Sequence, residues 1–418
     1  MNKILVSLAL IMLLMSCTKE ESTLSIKLNS VVLTELGDSA TLSWTVANSS
    51  SKIEYFRLSG NFDGGESMDF YNNNNHITIK IPTVPLLTFQ VTAFSSKDID
   101  LAKSNIITIT KPGIKLLNMD VKDGLYDNLN NNIVLVDPIG KIALYSLNTN
   151  SIVNMVTSNS KLGYCDLIVN QDTAKLIVPR NDGWVFIYNA KNLELIDQVQ
   201  IHNAPLTSVI SQSDLFFSSS STGSTFFQVY NRKTKTTVHA DVNSQKEYRM
   251  KVIPESLPAI LQTNQNNKLC IKRFSDLGNI TDTKEYKGSP LNASTTDILE
   301  MSPATKKIAT SNRGIILNTN LGYLATLKTD SATWFTAFAF DSDKKEIIGA
   351  TTLKNIQFYA EANYQKTKTI KTEGYPVKIL KVPGKVVCIS SILKPVESVE
   401  PGQEGNVKPN SFVEIFEN

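Results

Sequence analysis

The chain has 418 residues, with 42 Lys and Arg against 39 Asp and Glu, a formal net charge of +3, 41% hydrophobic and 19% charged residues. At roughly 100–200 residues per domain that length predicts two or three domains, and the near-neutral balance excludes wholesale disorder and a polybasic nucleic-acid binder. Three His and four Cys are too few for the usual zinc, haem or iron–sulfur ligation, so no cofactor and no metal or catalytic residue is expected.

The chain opens on Asn2-Lys3, an apolar run from Ile4 to Met15, and Ser16-Cys17. The run is about 12 residues, short of the ~20 that a membrane-spanning helix needs, which reads as an export signal over 1–16. Leu14-Met15-Ser16-Cys17 resembles the lipobox of bacterial lipoproteins. The resemblance implies cleavage before Cys17, diacylglycerol on its thiol, a further acyl chain such as palmitate on its amino group, and residues 17–23 as a tether. At about 0.8 kcal/mol per buried CH₂, two or three acyl chains hold a protein on a membrane almost permanently. Thr18 stands where inner-membrane retention has an aspartate, and Lys19-Glu20-Glu21 is similar to the acidic tag of surface lipoproteins of Bacteroidota-type bacteria. The implied address is the outer membrane, lipid-anchored, with exposure at the cell surface as one of two orientations. Cys165, Cys270 and Cys388 remain, an odd number in apolar strand-like segments, and are expected as buried free thiols.

No sustained 3.6-residue periodicity follows. Runs of four to eight β-branched and aromatic residues bounded by Asn, Asp, Gly, Ser and Pro recur instead, which predicts an all-β protein. Over 24–111 the candidate strands include 40–46 (ATLSWTV), 53–58 (IEYFRL), 76–81 (HITIKI), 88–94 (TFQVTAF) and 105–109 (NIITI), alternating as sheets with one buried face do. With Trp44 on an early strand and 89–94 (FQVTAF) as an aromatic-x-Val-x-Ala strand, the segment resembles an immunoglobulin-like or fibronectin type III β-sandwich. Asp63-Gly64-Gly65-Glu66, Asp69 and the 72–75 Asn run carry calcium-type oxygens, but the spacing is not an EF-hand and a polar hairpin accounts for them. Lys111-Pro112-Gly113 punctuates the chain, and the boundary is placed there.

Residues 112–418 carry an internal repeat. Its clearest unit is 174–197 (AKLIVPRNDGWVFIYNAKNLELID): strand, Asn-Asp-Gly turn, strand, short turn, strand. This unit resembles the YVTN-type repeat of bacterial β-propellers, of the wider WD40-like class. Weaker copies pair 133–136 with 140–147, 215–217 with 227–231, 259–261 with 269–274, 307–310 with 314–317, 346–349 with 356–359, and 386–389 with 412–416. Seven units in this stretch give about 44 residues each, the size of a four-stranded blade, so a seven-bladed β-propeller is expected after the sandwich. The last unit stops after its third strand, and 113–121 (GIKLLNMDV) is expected to close the ring as its outer strand.

Propellers bind ligands at the channel end built from loops between second and third strands and between blades. An aromatic is expected where five of the first strands begin: Tyr126, Tyr164, Tyr248, Trp334 and Tyr375, flat faces with polar tips for sugars or peptides. Arg180, Asn181, Asp182, Arg313 and Lys354 are expected on the same face. As structural spacers between blades and as solvated turns, these residues have equally simple readings. The insertion between Ile392 and Asn410 reads as a surface loop or a flap over that face, and 218–225 (SSSSTGST) as a flexible turn without a phosphate-loop pattern. His76, His202 and His239 offer no evident base to a cysteine. The expected function is binding of a glycan, peptide or protein partner on the loop face. A hydrolase or lyase acting on extracellular polysaccharide or lactones, and a structural subunit of an envelope complex, are the alternatives.

Overall fold

The computed structural model describes residues 23–35, 38–48, 52–60, 67–70, 74–81, 85–112, 114–220, 222, 225–241, 249–255, 257–263, 269–288, 298–302, 304–311, 313–329, 333–392 and 411–417. No helix occurs among them, and so none long and apolar enough to cross a membrane. The signal stretch, Cys17, Tyr248, Asp63 to Glu66 and the 393–410 insertion lie outside the described residues. The chain divides into two compact units, Met1–Gly113 and Ile114–Asn418.

The first unit holds β1 (Ser25–Leu33), β2 (Ser39–Ala47), β3 (Tyr55–Gly60), β4 (Ser67–Phe70), β5 (His76–Lys80), β6 (Leu86–Phe94), β7 (Asp100–Lys103) and β8 (Ile107–Thr110). One antiparallel sheet runs β1-β2-β5; the other runs β4-β3-β6-β7, with β8 also on β6. Strict alternation along β2 turns Ala40, Leu42 and Trp44 inward, where they meet Phe56, Leu58, Phe89 and Val91 of the other sheet in one core. Trp44 is 1% exposed and stands edge-on to Phe56, their ring centres 5.2 Å apart. The strands expected at 53–58 and 105–109 each begin two residues later, because Ile53-Glu54 and Asn105-Ile106 make the connections.

The second unit is seven consecutive antiparallel sheets among the described residues, here I to VII, each a meander of neighbours in sequence. Sheets I to VI have four strands and span 123–157, 166–200, 206–241, 251–285, 299–326 and 335–371; sheet VII, 375–417, has three. Their first strands are Asp123–Asp127, Asp166–Val169, Leu206–Gln212, Lys251–Val252, Leu299–Ser302, Phe335–Asp341 and Tyr375–Val382. Each pair of apolar runs in the repeat is the second and third strand of one sheet. Alternate residues of these runs face opposite neighbours: Ile133 and Leu135 pack with Val387 and Ile389 of sheet VII, whereas Val134 and Val136 pack with Leu176 and Val178 of sheet II. A strand covered on both faces has no reason to alternate in polarity, and so reads as a continuous apolar run. Comparable cores join II to III, III to IV, IV to V, V to VI and VI to VII, so the sheets pack in cyclic succession. The architecture is consistent with a propeller-like fold. Fourth strands are largely exposed, and that of sheet VI (KTKTIK) lines its edge with lysines, which discourages edge-to-edge pairing.

Two expectations are corrected here. Residues 114–121 do not form a full strand: Leu116 makes a single antiparallel bridge to Phe412 and the Leu117 amide donates to the Ser411 carbonyl at 2.9 Å. Beyond that bridge Leu117, Met119 and Val121 turn into the core between sheets VII and I, which draws the backbone out of the ladder. Ser218, Ser219 and Ser220 are not a flexible turn but the buried end of a strand, Leu215–Ser220; Thr207 and Ser219 share a hydroxyl hydrogen bond of 2.8 Å, so the run satisfies its polar atoms internally.

Every third-to-fourth strand hairpin of sheets I to VI carries a residue at positive φ: Asn150, Leu193, Lys235, Gly278, Leu321 and Tyr364, beside a register shift in the ladder. A left-handed L-residue costs about 1–2 kcal/mol, which Gly avoids, although Gly also has more freedom to lose on folding. Lys235 is exposed with φ 57°. Lys235→Gly is therefore expected to raise stability by about 0.5–1 kcal/mol in urea unfolding; a loss of stability would show that this hairpin is not held left-handed. At Gly183, φ 84°, a Cβ would stand 1.9 Å from the His202 carbonyl oxygen, so the Asn-Asp-Gly turn of the clearest repeat admits no side chain.

Candidate functional site

The first strands touch in succession, I with II, II with III, IV with V, V with VI, VI with VII and VII with I; the Met250 amide, at 3.3 Å from the Ser208 hydroxyl, links III to IV. Within this ring lie two cavities of about 220 and 260 Å³, both bordered by Glu300, Phe338 and Lys378. The first lies where the strands begin and is reached by Lys122, Tyr164 and Arg249; the second lies toward their other end and is reached by Tyr126, Met301 and Lys381.

A buried ion network separates them. Asp123 of sheet I receives Arg249 Nη2 and Lys378 Nζ, each 3.0 Å from Oδ1. Glu300 of sheet V takes Lys251 Nζ at 3.1 and 3.0 Å on its two oxygens, with Lys378 Nζ 3.8 Å away. Asp123, Arg249 and Lys378 are buried, so the charges face one another rather than water. Lys122 Nζ and the Arg249 guanidinium lie 4.5 and 4.7 Å from the centre of the Tyr164 ring. A ring face attracts cations, and attracts them more strongly where water is excluded.

Burial favours neutral Asp123, but Arg249 and Lys378 outweigh it and hold the carboxyl well below its ordinary 3.8. Glu300 is half-buried, and Lys251, Lys378 and Arg249 outweigh the effect of burial and lower its carboxyl. Burial, with Arg249 beside it, pushes Lys378 down to about 8 against the pull of Asp123. On sheet II, burial raises Asp166 to about 6, although its Oδ2 accepts the Ser211 amide at 2.9 Å. The two carboxylates of the network thus stay ionised at neutral pH, and the spare proton affinity lies outside the first cavity, on Asp166.

The structure disperses the expected aromatic ring. Tyr164 reaches the first cavity but is 4% exposed, its face taken by Lys122 and Arg249, so it positions cations rather than stacking on a ligand. Tyr126 is the fourth residue of its strand rather than at its start, and therefore borders the second cavity; its hydroxyl donates to Asn131 at 3.2 Å. Trp334 immediately precedes its first strand and Tyr375 begins its own; both are half-buried, and Lys354 Nζ sits 5.1 Å from the Tyr375 ring centre. Arg180 pairs with Asp182 in the second-to-third strand turn of sheet II and covers Phe186 at 4.3 Å. Asn181 accepts the Ser160 hydroxyl in that same turn, and Arg313 is exposed in the corresponding turn of sheet V. None of these turn residues borders either cavity. Cys165, Cys270 and Cys388 are buried and free, and burial raises all three thiols.

Sequence reasoning missed Lys122, Asp123, Arg249, Lys251, Glu300 and Lys378. A signal existed: single charges set in apolar first strands, as in Leu299-Glu300-Met301 and Val377-Lys378-Ile379, mark positions that face away from the inter-sheet cores. Fold and site together define an all-β protein whose propeller-like unit carries a charged, aromatic-braced centre. No protein-family profile matches the chain, and no curated protein does. Among solved structures it is similar to the computationally designed Ika8 protein, at 11% identity and a TM-score of 0.49, covering 79% of this chain and 92% of that one.

Proposed function

We propose that residues 112–418 are a seven-bladed β-propeller closed by 113–121, that residues 24–111 are an immunoglobulin-like or fibronectin III-like sandwich, and that acylated Cys17 tethers both to the outer membrane. The cyclic succession of inter-sheet cores and the Leu116–Phe412 bridge support the ring; the two sheets over Trp44 support the sandwich. Leu14-Met15-Ser16-Cys17 supports the anchor. The propeller's work is to bind a peptide, protein or glycan partner at the end of its channel where the first strands begin.

One observation carries this reading: at that end, a cavity inside the ring brings Lys122, Arg249 and Lys378 together from separate sheets beside an apolar wall. Ligand sites combine such a wall with a few convergent polar groups. Its bordering carboxylate, Glu300, is held ionised by lysines, which favours binding over acid–base turnover, since a general acid or base works best with a pKa near the working pH. Ala337→Met, which adds bulk where sheet VI both lines the cavity and packs against sheet VII, is expected to abolish hits on peptide and glycan arrays while thermal unfolding shows the sheets still packed. Hits that persist in this variant would refute the mouth as the binding site. Intact mass of membrane-extracted protein is expected to show an acylated Cys17 as the first residue; an unmodified cysteine would refute the anchor.

A further inference from the structure

Resting on that reading, we infer that the first cavity is a receptor for a single peptide carboxylate, a chain terminus or an Asp or Glu side chain. The argument begins with charge. The network and its mouth hold four cations, Lys122, Arg249, Lys251 and Lys378, against the carboxylates of Asp123 and Glu300. Both Glu300 oxygens are taken by Lys251, and the Asp123 oxygen Oδ1 is shared by Arg249 and Lys378. With Asp166 of sheet II counted as ionised, one positive charge is still in excess among the described residues of the network, and Lys122 carries it. Lys122 has a ring face but no carboxylate within 4.0 Å among the described residues. Buried or half-buried cations without counter-charge are costly, and an incoming carboxylate relieves that cost.

The rest of the lining decides what bears the carboxylate. Leu299, Ala337, Phe338 and Val377 are apolar, and the hydroxyl of Thr336 is already donated to the Pro376 carbonyl at 2.6 Å. A sugar ring placed there would bury several hydroxyl donors against a wall whose one side-chain acceptor among these residues is the Thr336 oxygen, whereas a carboxylate on an aliphatic stem matches cations at one side and apolar surface at the other. The volume agrees. At about 220 Å³ it lies below the 300 Å³ or so of sites that enclose a drug-sized ligand. One residue-sized group fits within it.

The test uses the intact protein and four probes followed by calorimetry: an N-acetylated Gly-Ala tetrapeptide with a free C-terminus, its C-terminal amide, an amidated tetrapeptide with one internal Glu, and glucuronate. The free-terminus peptide or the internal-Glu peptide is expected to bind saturably, the carboxylate-free amide at least about tenfold more weakly, and whichever carboxylate wins identifies the source. Lys122→Met, which unpairs no buried acid, is expected to weaken the winning peptide roughly 10- to 100-fold, as loss of a charged hydrogen-bond partner does, with Lys122→Arg restoring most of it. Equal binding of the carboxylate-free amide, indifference to Lys122→Met, preference for glucuronate, or no saturable binding by any probe would each overturn the inference. Array hits lost in Ala337→Met but indifferent to a carboxylate would leave the mouth as a binding site while removing this ligand class; hits indifferent to Ala337→Met would remove both.

Discussion

Asp123→Asn is expected to destabilise the second unit by about 3–5 kcal/mol, because removing one partner of a buried ion pair leaves the others charged, desolvated and unmatched. Asp123 is 2% exposed, and its single oxygen Oδ1 faces both Arg249 Nη2 and Lys378 Nζ at 3.0 Å. An amide at this position keeps the shape and loses the charge, so the loss is electrostatic rather than a packing defect. Adding Lys378→Met to Asp123→Asn removes one stranded cation, and the double variant is expected to recover part of the loss. The pH dependence follows in sign. The folded pKa of Asp123 lies below its ordinary 3.8, so its contribution is fully present above about pH 4 and disappears as pH falls through the lowered value. Lys378 works oppositely: pushed down to about 8, its charged form opposes folding at neutral pH, and that opposition fades as pH rises from 8 toward 10.5. Urea unfolding at pH 3 and pH 7 measures the first and at pH 7 and pH 10 the second; an Asp123→Asn loss below about 1 kcal/mol at pH 7 would show the network to be energetically idle.

Leu117→Ala combined with Met119→Ala is expected to cost about 4–10 kcal/mol, at about 2–5 kcal/mol for each buried aliphatic truncated. Leu117 is 3% and Met119 0% exposed, and both enter the core that joins Tyr145 and Leu135 of sheet I to Val387 and Ile389 of sheet VII. Since domains are stable by only about 5–15 kcal/mol, the double variant should bring the second unit near to unfolding at 25 °C. The cost is paid where the ends of the unit meet, and therefore bears on closure rather than on any one sheet. Thermal unfolding within a degree or two of the parent would mean that the segment merely lies against the ring.

The sequence determined by itself that the protein is β throughout its described residues and that its second unit repeats. Both follow from local chemistry: β-branched and aromatic runs of strand length, bounded by Gly, Asn and Asp, specify hairpins, and two-sided burial writes runs such as Ile133-Val134-Leu135-Val136 as unbroken apolar strings. Trp44 and the alternation around it likewise announced a one-sided buried face. Tertiary structure alone decided the rest. The positive-φ position in each outer hairpin is filled by Asn150, Leu193, Lys235, Leu321 or Tyr364 as readily as by Gly278, because ladder and packing on both sides impose the conformation whatever residue occupies it. The aromatic register slipped at Tyr126 because the strand begins at Asp123, a boundary set by pairing with Asn132 to Val136 and not by the aromatic itself. Glu300 and Lys378 are each a lone charge in an apolar context, Asp123 and Arg249 sit among other charged residues, and the four come from four parts of the unit separated by up to most of its length. Only the cyclic packing of the sheets brings them within 4 Å, where low dielectric turns scattered charges into one coupled centre.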